Sequence, residues 1–201
     1  MLKLFSASAA LALAAGAACA APEIGAAAPA FSGATTAGET ISLDQFAGKN
    51  VVLEWTNHDC PFVVKHYTTG NMQATQQAAK EEGAVWITVI SSAPGKQGYV
   101  SAAEADALTA SRAAEPDYVV LDASGDIGRA YAAKTTPHMF VIDEAGKLRY
   151  DGAIDDKPSA NHATVEGATN YLLAALDSVV AGEEVATART KPYGCSVKYD
   201  E

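Results

Sequence analysis

The chain has 201 residues, 49% hydrophobic and 19% charged, with a formal net charge of −10. That length supports one domain with a sizeable core, and the composition is that of a globular chain rather than a disordered one. The acidic balance speaks against nucleic acid or an anionic membrane as a partner, and it serves solubility.

The first twenty residues read as an address. Met1-Leu2-Lys3 is a short positive start, Leu4–Ala18 is apolar and small, and Ala18-Cys19-Ala20 fits a small-x-small cleavage site. The apolar part is too short for a membrane-spanning helix. We therefore assign 1–20 to a secretory signal, 21–182 to the domain and 183–201 to a C-terminal tail. The expected location is the periplasm or the outside of the cell, with no stable membrane insertion. Gly16-Ala17-Ala18-Cys19 partly fits a lipoprotein box, but that motif wants an aliphatic residue where Gly16 stands, so anchoring through Cys19 ranks second.

Residues 21–39 read as an extended lead-in, and Glu39–Leu43 alternates like a strand. A turn follows, then a buried strand over Asn50–Trp55. Cys60 directly precedes Pro61 and a helical pattern. Proline suits the first position of a helix, so Cys60 falls at its N-cap. Thr68-Thr69-Gly70 interrupts that helix, and Asn71 is a candidate cap for a second one reaching about Glu82. Ala84–Ile90 is a continuous β-branched run, the mark of a strand covered on both faces. Ser101-Ala102-Ala103-Glu104 is a capping box opening a third helix. Tyr118–Leu121 is a third buried strand, and the acids of Asp122–Asp126 read as a solvated turn. A short helix over Ile127–Ala133 leads to Thr135-Thr136-Pro137-His138 and a hairpin of Met139–Ile142 with Lys147–Tyr150. Helical spacing predicts a last helix over His162–Ala181, closed by Gly182, and Glu183–Glu201 looks irregular. There is no internal repeat and no second domain. The alternation predicts an α/β fold, a central mixed β-sheet with helices on both faces.

Cysteine arithmetic sharpens the reading. Without Cys19, the exported chain keeps Cys60 and Cys195, an obvious candidate pair where disulfides can form. A cysteine at a helix N-cap faces unpaired amides and the positive end of the helix dipole, which favour the thiolate. Lys65, His58 and His66 could add positive charge, and Asp59 works against them. The bland alternative is a buried, inert thiol.

The strand–Cys60-Pro61–helix arrangement, with Thr136-Pro137 before a later strand, resembles the thioredoxin superfamily. The match is closer to the exported redoxin-domain, peroxiredoxin-like proteins. It runs over about residues 25–199 and is carried by Glu54–Tyr67, Gly70–Gln73, Gly128–Tyr131, Thr136–Asp143, Gly152–Asp156 and the tail Lys191–Tyr199. The resemblance implies a thioredoxin-like fold, a cis Thr136–Pro137 bond facing Cys60, and no cofactor. A peroxiredoxin resembles Pro-x-x-x-Thr-x-x-Cys, whereas Leu53 and Asn57 stand at those positions here. Its activating arginine falls at Pro137. The Cys-x-x-Cys of thioredoxin is also missing, because Val63 stands at the second cysteine.

Three functions are weighed. In the first, Cys60 is the nucleophile of a thiol–disulfide oxidoreductase or peroxiredoxin-like antioxidant protein, and Cys195 is the resolving thiol. Trp55, Asn57, Thr136 and Pro137 then line the substrate site, the substrate is a protein or small-molecule disulfide, thiol or peroxide, and an external thiol reductant closes the cycle. Trp55 is equally well read as core. From Ala181 to Cys195 the tail can reach about 45 Å at about 3.3 Å per residue, enough to cross a small domain. In the second, a permanent Cys60–Cys195 disulfide staples a redox-inert binding module. In the third, His58, Asp59, Cys60, His66 and His138 converge on copper or zinc, although the Cys-x-x-x-Cys of copper carriers is absent. We rank the first highest and assign no metal ligand.

Overall fold

The computed structural model describes residues 21–200; the signal and lipoprotein readings of 1–20 lie outside them. The strands are β1 (Ser32–Ala34), β2 (Thr40–Ser42), β3 (Val51–Trp55), β4 (Val85–Ile90), β5 (Tyr118–Leu121), β6 (Thr135–Thr136), β7 (His138–Ile142), β8 (Leu148–Gly152) and β9 (Cys195–Ser196). The helices are α1 (Pro61–Thr68), α2 (Asn71–Glu81), α3 (Ala102–Ser111), α4 (Asp126–Ala130) and α5 (Tyr171–Val180). The central sheet runs β5-β4-β3-β7-β8. Its first three strands are parallel, and β7 and β8 are antiparallel, so the sheet is mixed as the pattern predicts.

Both faces are covered, which is why β3, β4 and β7 are almost continuously apolar. Val51, Leu53, Trp55, Ile87, Val89 and Phe140 pack one way, against Phe31, Phe46, Ile127 and Tyr131. Val52, Trp86, Met139, Val141 and Tyr150 pack the other way, against Val63, Met72, Ala79, Leu172 and Leu176 of α1, α2 and α5. Cys60 belongs to this second layer.

Several local expectations change. The lead-in contains β1, which pairs with β2. The cap of α2 is Gly70, because the Asn71 amide turns back to His66 Nδ1 at 2.8 Å. The last helix is shorter than its apolar spacing suggests. A 3-10 turn spans His162–Val165, and α5 starts only where the Asn170 carboxamide accepts from the Leu173 amide. Asp122 is buried rather than solvated. It accepts from Ser91 Oγ at 2.6 Å and from the Gly128 amide at 2.9 Å, and so holds the start of α4 to the end of β4. The tail is laced to the sheet: the Ala188 carbonyl accepts from the Asp151 amide, and the Thr190 amide donates to the Asp151 carbonyl. Farther on, β9 pairs with β6.

In the middle of β3 sits a buried carboxylate, Glu54. It accepts from Tyr67 Oη at 3.0 Å, Trp86 Nε1 at 3.1 Å and Thr88 Oγ1 at 3.2 Å. Burial raises its pKa above the ordinary 4.5, against the pull of those donors and of Arg112. The folded state therefore holds the proton more tightly than the unfolded state does, and stability falls as pH rises from about 4.5 through the folded value. Urea melts over that window should show the wild type losing stability relative to Glu54→Gln. A wild type that gains on Glu54→Gln would contradict the raised value.

Candidate active site at the Thr136–Pro137 edge

Cys60 follows β3 through a tight turn whose scaffold is Asn57. The Asn57 side chain accepts from the Asp59 amide at 3.0 Å and donates to the Gln97 carbonyl at 3.3 Å, and its carbonyl accepts from the Cys60 amide at 3.0 Å. Cys60 is the N-cap of α1 with Pro61 in the first turn, as the sequence predicts. Its sulfur lies 2.9 Å from the Thr136 carbonyl oxygen, to which the thiol donates.

The Thr136–Pro137 peptide is cis. Beside Cys60, the edge of β6 is filled by the tail. Thr136 is paired with Cys195 and Thr135 with Ser196. This seats the Cys195 amide 3.4 Å from Cys60 Sγ, where it donates to the sulfur. The approach is so close that a Cβ on Gly194 would stand 2.0 Å from the Thr136 carbonyl oxygen, and Gly194 adopts φ 131°, where side chains are strained. Glycine is thus required next to Cys195.

The two sulfurs are unbonded, and their environments differ. Cys60 has no exposed surface, whereas Cys195 is half-buried. Burial alone would raise the Cys60 pKa. Donors around the sulfur, the Cys195 thiol first and the amides of Cys195 and Val63 among them, outweigh it and bring the value below the ordinary 9.0. Cys195 moves the opposite way, to about 11, through burial and through the stabilising of its proton by Cys60. One sulfur is therefore biased towards the nucleophilic thiolate, and the other towards the protonated thiol.

The remaining sequence candidates divide. Asn57 builds the turn and is buried. Trp55 packs on the opposite face of the sheet from Cys60, against Tyr131 and Phe140, with Nε1 donating to Ser91 Oγ at 2.9 Å. Of its two readings, core packing is the one its position fits. The basic neighbours expected to charge the Cys60 site turn elsewhere. Lys65 and His66 are buried against Tyr193 and Asp155, and His58 lies 3.4 Å from Asp59. The residues of the metal reading are not gathered into one cluster. His138 is engaged by Asp151 at 2.8 Å and His66 by Tyr193 at 3.1 Å, and among the described residues no three His, Cys, Asp or Glu side chains gather as ligands. Sequence reasoning missed Tyr193 and Asp155. The Lys-Pro-Tyr-Gly-Cys run before Cys195 was the one available signal.

A family model described as Redoxin matches residues 23–172. The chain belongs to the redoxin family. No curated protein matches it. Among solved structures it is similar to a hypothetical protein of Sinorhizobium meliloti 1021, at 22% identity over 90% of this chain and 97% of that one, with a TM-score of 0.74. It is also similar to an uncharacterized conserved protein of Geobacillus kaustophilus, at 22% identity over 89% and 93%, with a TM-score of 0.71. A third similar structure, from Chlorobium tepidum, carries the assigned name thiol:disulfide interchange protein DsbE. It is 25% identical over 77% of this redoxin and 98% of that chain, with a TM-score of 0.55. With the family match, this likeness places the redoxin in the thioredoxin superfamily.

The donors at Cys60 give a direct expectation. The rate of its alkylation by iodoacetamide, followed against pH by mass spectrometry, should have a midpoint below 9.0. Cys195→Ala removes one donor and should raise that midpoint. A midpoint unchanged or lowered by the substitution would contradict the assignment.

Proposed function

We propose that this redoxin is a thiol–disulfide oxidoreductase in which Cys60 is the nucleophile and Cys195 the resolving thiol. Family and fold make it a thiol-dependent oxidoreductase. The observation that carries the cysteine assignment is the pairing of Thr136 with Cys195, which brings the Cys195 amide to 3.4 Å from Cys60 Sγ. In the reducing direction, the Cys60 thiolate attacks one sulfur of a substrate disulfide. A Cys60 mixed disulfide forms and the other substrate sulfur leaves as a thiolate. Cys195, losing its proton, then attacks the Cys60 sulfur, so that the Cys60–Cys195 bond forms and the second substrate thiolate is released. An external dithiol reduces the pair back to two thiols. The lowering of the Cys60 pKa favours it as attacking and as leaving group, and the raised pKa of Cys195 suits a second step that waits for the mixed disulfide.

Disulfide exchange is favoured over peroxide reduction by what surrounds the sulfur. Peroxide cleavage needs donors aimed at the departing oxygen. The position of a peroxiredoxin's arginine is Pro137, and a carbonyl, Thr136 O, lies nearest to Cys60 Sγ. We also place the protein outside the cytoplasm. The signal-like residues 1–20 support that location, and among the described residues no helix is long and apolar enough to cross a membrane. A disulfide-exchanging pair fits such a compartment.

The single-cysteine proteins test this. Cys60→Ser should reduce glutathione disulfide no faster than the uncatalysed reaction. Cys195→Ser should accumulate a Cys60–glutathione mixed disulfide, seen as an added glutathione mass on the Cys60 peptide. Turnover by Cys60→Ser at the wild-type rate would reject Cys60 as the nucleophile, and normal turnover by Cys195→Ser without the adduct would reject Cys195 as its resolver.

A further inference from the structure

Two residues before Cys195, the tail drives Tyr193 into a buried ionic cluster. Its hydroxyl donates to Asp155 Oδ1 and lies 3.1 Å from His66 Nε2 and 3.4 Å from Lys65 Nζ. Its ring lies over Lys65 Nζ, 5.3 Å from the centroid, and beside Phe62 at 5.8 Å. Lys65 and His66 have no exposed surface, and Asp155 almost none. Burying such charges is costly unless they are paired and hydrogen-bonded. Here the pairing is incomplete without the tyrosine. Lys65 Nζ is 3.8 Å from Asp155 Oδ2, an oxygen that accepts no hydrogen bond, and its other acceptor is the Lys157 carbonyl at 3.2 Å.

The network has a defined sense. The Asn71 amide donates to His66 Nδ1, so the ring proton sits on Nε2 and is directed at the Tyr193 oxygen. Burial, and then the neighbouring Lys65, bring the His66 pKa to about 4, so at neutral pH the ring is uncharged and holds that single proton. Tyr193 thus accepts from α1 and donates its own hydroxyl hydrogen bond to Asp155. Helix α1 is a short rigid element with Cys60 at its N-cap and Lys65 and His66 one turn on. One helix therefore fixes the nucleophile and the socket together, and the socket fixes the tail.

We infer that Tyr193, seated in the Lys65–His66–Asp155 socket, is the positioning residue that holds Cys195 at Cys60. The inference rests on the proposed Cys60–Cys195 exchange and names what sets its equilibrium. Tyr193 and Cys195, on either side of the Gly194 bend, both pack against the core layer that also holds Cys60, so seating the tyrosine places the cysteine beside that layer. Release of Tyr193 would leave Cys195 held by β9 and by contacts farther along the tail, with the nearest preceding anchor at Thr190, and the local concentration of its thiol at Cys60 would fall.

The test is the equilibrium Cys60-SH + Cys195-SH + GSSG ⇌ Cys60–Cys195 disulfide + 2 GSH, poised in glutathione buffers, acid-quenched and read by mass spectrometry. Tyr193→Phe keeps the ring against Phe62 and Lys65 and loses the hydroxyl. Its equilibrium constant should fall about tenfold or more, the size expected when a tether loses its anchor, and Tyr193→Ala should fall further. A merely structural tyrosine would change the melting temperature and leave this constant alone. If the wild type forms no Cys60–Cys195 disulfide at any ratio, the oxidoreductase reading has failed. If the wild type forms it and Tyr193→Phe titrates identically, the positioning role is overturned and the oxidoreductase reading stands. Should the variants not fold, hydrogen exchange in the reduced wild type decides. The Cys195 and Val197 amides, which donate to Cys60 Sγ and the Lys134 carbonyl, should exchange about a hundredfold or more slowly than in an unstructured chain. Unprotected amides there overturn the inference.

Discussion

A two-residue antiparallel ladder, Thr135-Thr136 against Cys195-Ser196, is the constraint on which the site depends. It has few hydrogen bonds, yet it decides the chemistry of both sulfurs. It brings the Cys195 amide and thiol to Cys60 as donors, which offset the burial that would otherwise keep Cys60 protonated. Cys195 moves the other way, to about 11, first through burial and then through the same contact. Neither value belongs to a cysteine alone. Each is a property of the pair, created when residues 135 sequence positions apart share one strand edge.

The edge exists because Pro137 stands between β6 and β7. Proline has no amide to add to a ladder. The strand in the central sheet, His138–Ile142, therefore starts after it, and β6 is left to pair elsewhere. In a fold of this type the second sulfur often lies on the helix of the first. Here Val63 occupies that place and faces the core, and the second sulfur comes from a tail that crosses the domain. In the proposed exchange this arrangement would separate two requirements: α1 keeps Cys60 buried, and the tail brings Cys195 to it from the surface side.

Much of this was legible in the chain. The β-branched runs of β3, β4 and β5 and the capping box at Ser101 are local signals, and they gave the mixed sheet and its helices. Cys60-Pro61 gave the N-cap, and Thr136-Pro137 gave the turn through family resemblance. What could not be read is the long-range part. Lys65 and His66 look like solvated charges beside a cysteine. Only their burial against Asp155 and Tyr193, on three separate segments, shows that they hold the tail. Asp122 was misplaced for the same reason, since a carboxylate in a turn is ordinarily solvated and this one satisfies amides across the chain. The irregular appearance of 183–201 came from its pairing with strands far away in sequence, which no local periodicity can record.

The most direct measurement is a peptide map of the full-length protein after mild oxidation by oxidised dithiothreitol under native conditions, with the thiols blocked on quenching. The account predicts one intramolecular link, between the peptides holding Cys60 and Cys195, formed at a rate independent of protein concentration and reversed by reduced dithiothreitol. Cys60 left free while Cys195 is oxidised, or a link formed only between molecules, would contradict it.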